Sequence, residues 1–74
     1  MEKLLALLKN IKRNIDFETA DNLIDGGLID SFDIITIVSE INDVFDVGIS
    51  PGNLTPENFN SAKAMWALIT RLQQ

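Results

Sequence analysis

The apolar residues of this 74-residue chain recur at helical spacing in three separate segments. Nowhere do apolar and polar residues alternate over the length of a strand between hairpin turns, so a sheet is not expected. A chain of this length also leaves no room for a second domain. We therefore predict an all-α fold in which residues 1–74 form one domain. It is a small bundle of three main helices and one short helix, with a long loop between the first two helices.

The first helix is predicted over residues 2–13, because one face of that segment is apolar. This apolar stripe consists of Leu4, Leu8, Ile11 and Ile15, widened by Leu5 and Leu7. The last turns carry cations, which the negative end of a helix dipole favours: Lys9, Lys12 and Arg13.

Residues 14–29 are predicted to form a long connection, because polar residues and glycines break any helical period. Four apolar residues are expected to anchor it to the core: Leu23, Ile24, Leu28 and Ile29. The acids that begin at Asp21 suggest a calcium loop, but the EF-hand pattern needs an oxygen ligand at its third position and glutamate at its twelfth. Leu23 and Phe32 hold those positions, so the calcium interpretation fails.

The second helix is predicted from about Ser31 to Asp46, with Gly48 as its stop. Asp30 is the predicted N-cap, and Asp33 stands at the third helical position, close to a capping-box arrangement. The predicted buried face consists of Ile34, Ile37, Val38, Ile41, Val44 and Phe45.

Two further helices are predicted near the end of the chain. Thr55-Pro56-Glu57 is typical of a compact helix start, and that helix must be short because Ser61 caps another. The last helix is predicted over about Ala62 to Leu72. Its apolar stripe consists of Ala62, Met65, Ile69 and Leu72, with Trp66 beside it.

The composition excludes most kinds of metal-binding and catalytic site. The chain has no histidine and no cysteine, so zinc, haem and disulfide frameworks are ruled out. A general base at neutral pH would have to be a perturbed carboxylate or lysine, which a small open fold rarely provides. We therefore predict that the protein is not an enzyme and holds no metal.

No apolar run reaches the length of about 18 residues typical of a membrane span, and no signal-peptide cleavage site follows the apolar start, so a cytoplasmic protein is expected.

The charges are segregated along the sequence. Every lysine and arginine lies within residues 3–13 or 63–71, and the interval between Arg13 and Lys63 holds ten acids and no base. Such a surface repels nucleic acid and attracts basic protein surfaces. A purely solubilising surface explains the pattern equally well.

Ser31 carries the hydroxyl that is best placed for chemistry. A helix N-terminus presents unpaired N–H groups and a partial positive charge, which stabilise an attached phosphate. Because the chain has no base to activate it, the hydroxyl is a poor nucleophile and is better suited to be the substrate of another enzyme. From the local sequence alone, a role merely as part of the helix cap stays open.

The order of elements resembles that of the acyl and peptidyl carrier proteins over essentially the whole chain. Asp30-Ser31-Phe32 matches the family's Asp-Ser-Leu/Met/Phe modification motif, preceded by Leu28 and supported by Phe45 and Ile49. The resemblance implies the carrier bundle fold. It also implies that a phosphopantetheinyl transferase joins 4′-phosphopantetheine from coenzyme A to Ser31, and that the thiol of this arm holds an acyl or aminoacyl group as a thioester. Asp30 would lie on the side of the transferase's metal and coenzyme A, a role compatible with capping the helix.

The resemblance also implies partner contacts on the outer side of the second helix, at Phe32, Asp33, Thr36 and Glu40. Thr36 and Asn42 hold positions where fatty-acid carriers tend to have glutamate. The segment 49–61 is slightly longer than in those carriers and is similar to that of D-alanyl carrier proteins, although Asp33 stands where these often have glycine.

These features imply a stand-alone carrier, with D-alanine or another amino acid favoured over a fatty acid as cargo. An acyl- or aminoacyl-adenylating ligase would load it and a downstream acyltransferase would receive the group. The alternative is a non-carrying acidic helical adaptor that binds a basic partner, in which Ser31 is only a helix cap.

Overall fold

Four α-helices and one 3₁₀ turn make up the regular structure. The computed structural model describes residues 1–74 and contains no strand, which confirms the predicted all-α fold. Three helices are long and one is a single turn, as expected. The helices are α1 (Glu2–Ile11), α2 (Ser31–Phe45), α3 (Pro56–Phe59) and α4 (Ala62–Leu72), with the 3₁₀ turn at Pro51–Asn53.

The first helix ends at Ile11, two residues earlier than predicted. Lys12 has extended backbone angles, with φ −134° and ψ 91°, so the chain leaves the helix axis there. This turn allows Ile15 and Phe17 to enter the core from the connection, where both side chains are buried. Ile15 is therefore a core residue, but it does not continue the stripe of α1 as the sequence predicted.

The core is formed by fifteen apolar residues, and no polar side chain is buried with them. They come from all four helices and from both long connections, so each connection is held by burial of its own apolar side chains. Fully burying a leucine or isoleucine stabilises a fold by about 1.5–3 kcal/mol. The core consists of Leu4, Leu7, Leu8, Ile15, Phe17, Leu23, Ile29, Ile37, Ile41, Ile49, Phe59, Ala62, Met65, Leu68 and Ile69.

The second helix packs against α1. Its Ile37 and Ile41 are fully buried, while Ile34, Val38 and Phe45 are half-buried. The prediction was wrong for Val44, which is 37% exposed because it lies at the margin of this face, beside a shallow surface pocket between α1 and α2.

The end of α2 also differs from the prediction. The helix ends at Phe45, and Asp46 adopts the left-handed conformation with φ 54°. Asp46, rather than Gly48, therefore reverses the chain, because aspartate tolerates this region better than most side chains.

The connection between α1 and α2 closes in a tight turn just before the second helix. The backbone oxygen of Leu23 accepts hydrogen bonds from the N–H groups of Leu28 and Ile29, at 2.9 and 3.1 Å. Leu23 and Ile29 are buried as expected, but Leu28 is 42% exposed and does not anchor the loop. The turn contains Gly27 at φ 71°, a conformation that side chains disfavour.

The last helix begins at the predicted cap, where the Ser61 hydroxyl accepts a hydrogen bond from the Ala64 N–H at 3.0 Å. Besides the predicted stripe, Leu68 is buried, whereas Leu72 is only half-buried. Trp66 packs edge-on against Phe45 with ring centroids 5.8 Å apart, which joins α4 to the end of α2.

None of the helices combines the length and the apolar character needed to cross a membrane.

Candidate functional site

Ser31 is the first residue of α2 and is exposed, but it does not cap the helix. The cap is made by two aspartates. The Asp30 Oδ1 atom accepts a hydrogen bond from the Asp33 N–H at 2.9 Å, and Asp33 Oδ2 accepts one from the Asp30 N–H at 3.1 Å. This reciprocal capping box confirms the sequence prediction. The Ser31 hydroxyl takes part in none of these bonds, so the local structure does not depend on it.

The carboxylate that precedes Ser31 is electrostatically stabilised. The backbone N–H of Asp33 holds the pKa of Asp30 below its usual value of 3.8, and the charge of Lys12 and the backbone of Phe32 act in the same direction. Partial desolvation opposes this shift without cancelling it. Asp30 is therefore ionised at neutral pH, directly beside the Ser31 hydroxyl.

An ion pair joins the end of α1 to the start of α2. Lys12 Nζ lies 3.2 Å from Asp33 Oδ2, and the two side chains are 33% and 20% exposed. An ion pair this open to solvent contributes only about 0–1 kcal/mol to stability, so its main effect is to hold the end of α1 beside the start of α2. It means that Asp33, a predicted partner contact, already has a partner within the chain.

Asn60 fixes the loop that leads to Ser31. Its side-chain oxygen accepts hydrogen bonds from the N–H groups of Ile24 and Asp25, at 2.9 and 3.0 Å. Its side-chain N–H donates to Asp25 Oδ2 at 3.0 Å, and its backbone oxygen accepts from the Leu23 N–H at 2.9 Å. Asn60 therefore ties the α3–α4 junction to the turn before α2. No local pattern in the sequence predicts this role, because the partners lie 35 and 36 residues away.

The outer face of α2, opposite the core, changes character along the helix. Its first part carries two exposed apolar side chains, Phe32 (79%) and Ile35 (63%), which are neighbours at i and i+3. Its later part carries exposed polar and acidic residues, among them Ser39, Glu40 and Asp43. We call Phe32 and Ile35 the apolar end of this face, and Glu40 and Asp43 its acidic end.

The predicted partner contacts divide over this outer face. Phe32, Thr36 and Glu40 are exposed, and the Thr36 hydroxyl donates to the backbone oxygen of Phe32 at 3.3 Å. Asp33 instead faces the helix start and is half-buried. Ile35 is not among the predicted contacts, although its place off the predicted buried stripe indicates exposure.

The Asn42 side chain makes a hydrogen bond within the chain. Its side-chain oxygen accepts a hydrogen bond from the Ile49 N–H at 2.9 Å, and Ile49 is buried. This bond holds the segment after α2 against the helix. The asparagine at this position is therefore explained by a contact within the chain.

Ser31 lies outside the surface pockets of the protein. The chain has four surface pockets, and Ser31 lines none of them. The largest, of about 500 Å³, lies between α1 and the following connection, beside Leu5 and Phe17. An exposed position outside these pockets suits a hydroxyl that another enzyme must reach.

No protein-family model matches the chain, and no curated protein sequence matches it either.

Proposed function

We propose that the protein is a carrier that holds an acyl or aminoacyl group as a thioester on 4′-phosphopantetheine attached to Ser31. The observation that carries this proposal is the Ser31 hydroxyl within Asp30-Ser31-Phe32. It is exposed at the first residue of α2 and is free of the cap hydrogen bonds, which the aspartates make. D-alanine or another amino acid is the favoured cargo.

The residues around Ser31 fit such an attachment. The hydroxyl oxygen would form a bond to the phosphorus that bears pantetheine in coenzyme A. The pyrophosphate bond would break, adenosine 3′,5′-bisphosphate would leave, and the hydroxyl proton would pass to the phosphopantetheinyl transferase. The unpaired N–H groups at the start of α2 favour the resulting phosphodiester, and Asp30 would face the transferase's metal. The attached group supplies the thiol that the chain itself lacks.

The outer face of α2 suits the partners of a carrier. Phe32 and Ile35 lie next to Ser31 and would fit an apolar recess, while Thr36 and Glu40 lie further along the helix. With a rise of 1.5 Å per residue, Phe32 and Glu40 are about 12 Å apart along the axis. An adenylating ligase and a downstream acyltransferase would therefore each offer an apolar recess with basic side chains about 12 Å from it. We place these reactions in the cytoplasm, where coenzyme A and ATP are available.

The proposal is tested by incubating the protein with coenzyme A, magnesium and a broad-specificity phosphopantetheinyl transferase. Intact mass spectrometry should show addition of one phosphopantetheine group, and peptide mapping should place it on Ser31. Ser31→Ala should gain no mass, whereas Ser39→Ala, an exposed serine on the same helix, should gain it normally. An unchanged mass of the wild-type protein, or modification of Ser31→Ala, would overturn the proposal.

The cargo is tested by loading. The modified protein is incubated with ATP, candidate adenylating ligases and D-alanine, other amino acids or fatty acids. Formation of a hydroxylamine-sensitive thioester with D-alanine or another amino acid is expected. Loading by fatty acids alone would contradict the preference for an aminoacyl group while leaving the carrier role intact.

The outer face of α2, with its apolar and acidic ends, favours one alternative, an adaptor that binds a basic partner without modification. An exposed phenylalanine and isoleucine on one turn provide a contact surface whether or not Ser31 carries a group. This alternative predicts that Ser31→Ala is fully functional and that wild-type protein purified from its own cells has an unmodified mass.

A further inference from the structure

The start of α2 concentrates negative charge. Asp30 directly precedes Ser31 and Asp33 follows two residues later, and the capping box holds both carboxylates in place. A phosphodiester on the Ser31 oxygen would add a third anion to the same turn. Like charges a few ångströms apart repel one another, even at a solvated surface. Attachment at Ser31 therefore has an electrostatic cost, which the N–H groups at the helix start offset in part and a nearby cation would offset further.

Lys12 is the cation placed to offset that cost. The chain has eleven acids and six bases, yet it forms a single ion pair, between Lys12 and Asp33. Lys12 Nζ lies 3.2 Å from Asp33 Oδ2, which in turn accepts the Asp30 N–H at 3.1 Å. The Lys12 charge is also one of the causes that lower the pKa of Asp30. One lysine thus acts on both acids that flank Ser31.

The backbone explains why Lys12 reaches this position. It is the first residue after α1, and its extended angles carry it away from the helix axis towards the start of α2. Its side chain is 33% exposed, so it is held against the protein but keeps room to move. The next base before it, Lys9, is still within α1 and is exposed, with no acid within ion-pair distance.

We infer that Lys12 is the counter-ion of the phosphodiester on Ser31, a positioning residue that allows a third anion at the start of α2. This inference rests on the proposed attachment at Ser31. In the unmodified protein Lys12 pairs with Asp33, and in the modified protein it is shared between Asp33 and a phosphodiester oxygen. Its contribution to stability should therefore grow when Ser31 is modified.

A double-mutant cycle tests the inference, with modification as one change and Lys12→Gln as the other. At low salt, modification should lower the unfolding midpoint by about 2–4 °C more in Lys12→Gln than in the wild type. Lys12→Arg should restore the wild-type response, and most of the difference should vanish in 1 M salt, where the Debye length is about 3 Å. Lys9→Gln, with the same change in net charge, should respond like the wild type.

A purely structural role for Lys12 would destabilise the unmodified and modified proteins equally. The inference would thus be overturned if modification shifted the unfolding midpoint equally in the wild type and in Lys12→Gln. It would also be overturned if Lys9→Gln responded to modification as Lys12→Gln does, because that would indicate an effect of net charge alone. The same cycle with Ser31→Glu in place of modification, and Ser31→Gln as its neutral control, needs no transferase. If wild-type Ser31 gains no mass, the proposed function fails, while the Ser31→Glu cycle still decides whether Lys12 compensates an anion at that position.

Discussion

The two ends of α2 both carry acids, but the acids have opposite effects on the helix. At the start, Asp30 and Asp33 accept backbone N–H groups and lie at the positive end of the helix dipole. At the other end, Asp43 and Asp46 lie where the dipole is negative, and no base occupies the last turn. Each carboxylate there opposes the dipole by about 0.3–1 kcal/mol. The acids at the end of α2 therefore do not stabilise the helix.

This contrast separates structural acids from surface acids. Asp30 and Asp33 are needed for the cap, so their presence beside Ser31 follows from folding. Asp43 belongs to the acidic end of the outer face and makes no hydrogen bond or ion pair through its side chain. We expect Asp43 to contribute negative surface charge, which favours encounters with basic partners.

The largest expected effect is the loss of the Asn60 hydrogen bonds that hold the loop before α2. Asn60→Ala leaves the N–H groups of Ile24 and Asp25 without their acceptor, which should lower the free energy of unfolding by about 1–3 kcal/mol. Hydrogen exchange should accelerate at these two amides, while the Ile49 amide, held by Asn42 at the other end, should not change. Equal acceleration at both ends would show that the ends of α2 are not independently held.

The next effect is the pH dependence of the cap. Because the pKa of Asp30 is lowered in the folded protein, its carboxylate stabilises the fold at pH above its unfolded value of 3.8. This contribution is lost as the pH falls through the lower folded pKa. Asp30→Asn should keep the cap hydrogen bond but remove this dependence. Denaturant unfolding of both proteins from neutral pH downwards measures the difference in stability, and a difference that does not change with pH would contradict the assignment.

A smaller effect of opposite sign is expected at the other end of α2. Asp46→Asn removes a charge from the negative end of the dipole and keeps a side chain that tolerates φ 54°. It should raise the free energy of unfolding by about 0.3–1 kcal/mol at low salt. Asp46→Ala removes the charge but retains the strained backbone, so it should raise the free energy of unfolding by less than Asp46→Asn does. A loss of stability in Asp46→Asn would mean that Asp46 has a structural role like that of Asp30.

The smallest effect is expected at Ser31 itself. Since its hydroxyl takes no part in the capping box, Ser31→Ala should change the stability of the unmodified protein by less than about 0.5 kcal/mol in thermal unfolding. A loss of about 1 kcal/mol, typical of a removed N-cap, would instead show that the Ser31 hydroxyl takes part in the cap.

Local features of the site could be predicted and distant ones could not. The capping box was predictable because Asp30 and Asp33 are three residues apart, a spacing that a helix start converts directly into contact. The ion pair from Lys12 to Asp33 spans the whole connection between two helices, and the hydrogen bonds of Asn60 span still more. An asparagine that accepts backbone N–H groups leaves no signature in sequence, because every residue except proline offers that donor.

Errors in the predicted burial have the same origin. Leu28 and Ile29 are adjacent and equally apolar, yet the turn closed by the Leu23 carbonyl directs only Ile29 into the core. Val44 lies at the margin of the buried face, where the closeness of α1 decides its exposure. Apolar character identifies candidates for burial, and the path of the backbone selects among them.

The sequence alone determined the helices, the capping box and the absence of histidine and cysteine, since these depend on residue type and short spacing. It also placed Ser31 at a helix start between two acids. Only the tertiary structure decided that Phe32 and Ile35 stay exposed, and that Lys12 and Asn60 make the contacts that hold the surroundings of Ser31. Those contacts join residues far apart in the chain, so they exist only once the helices have packed.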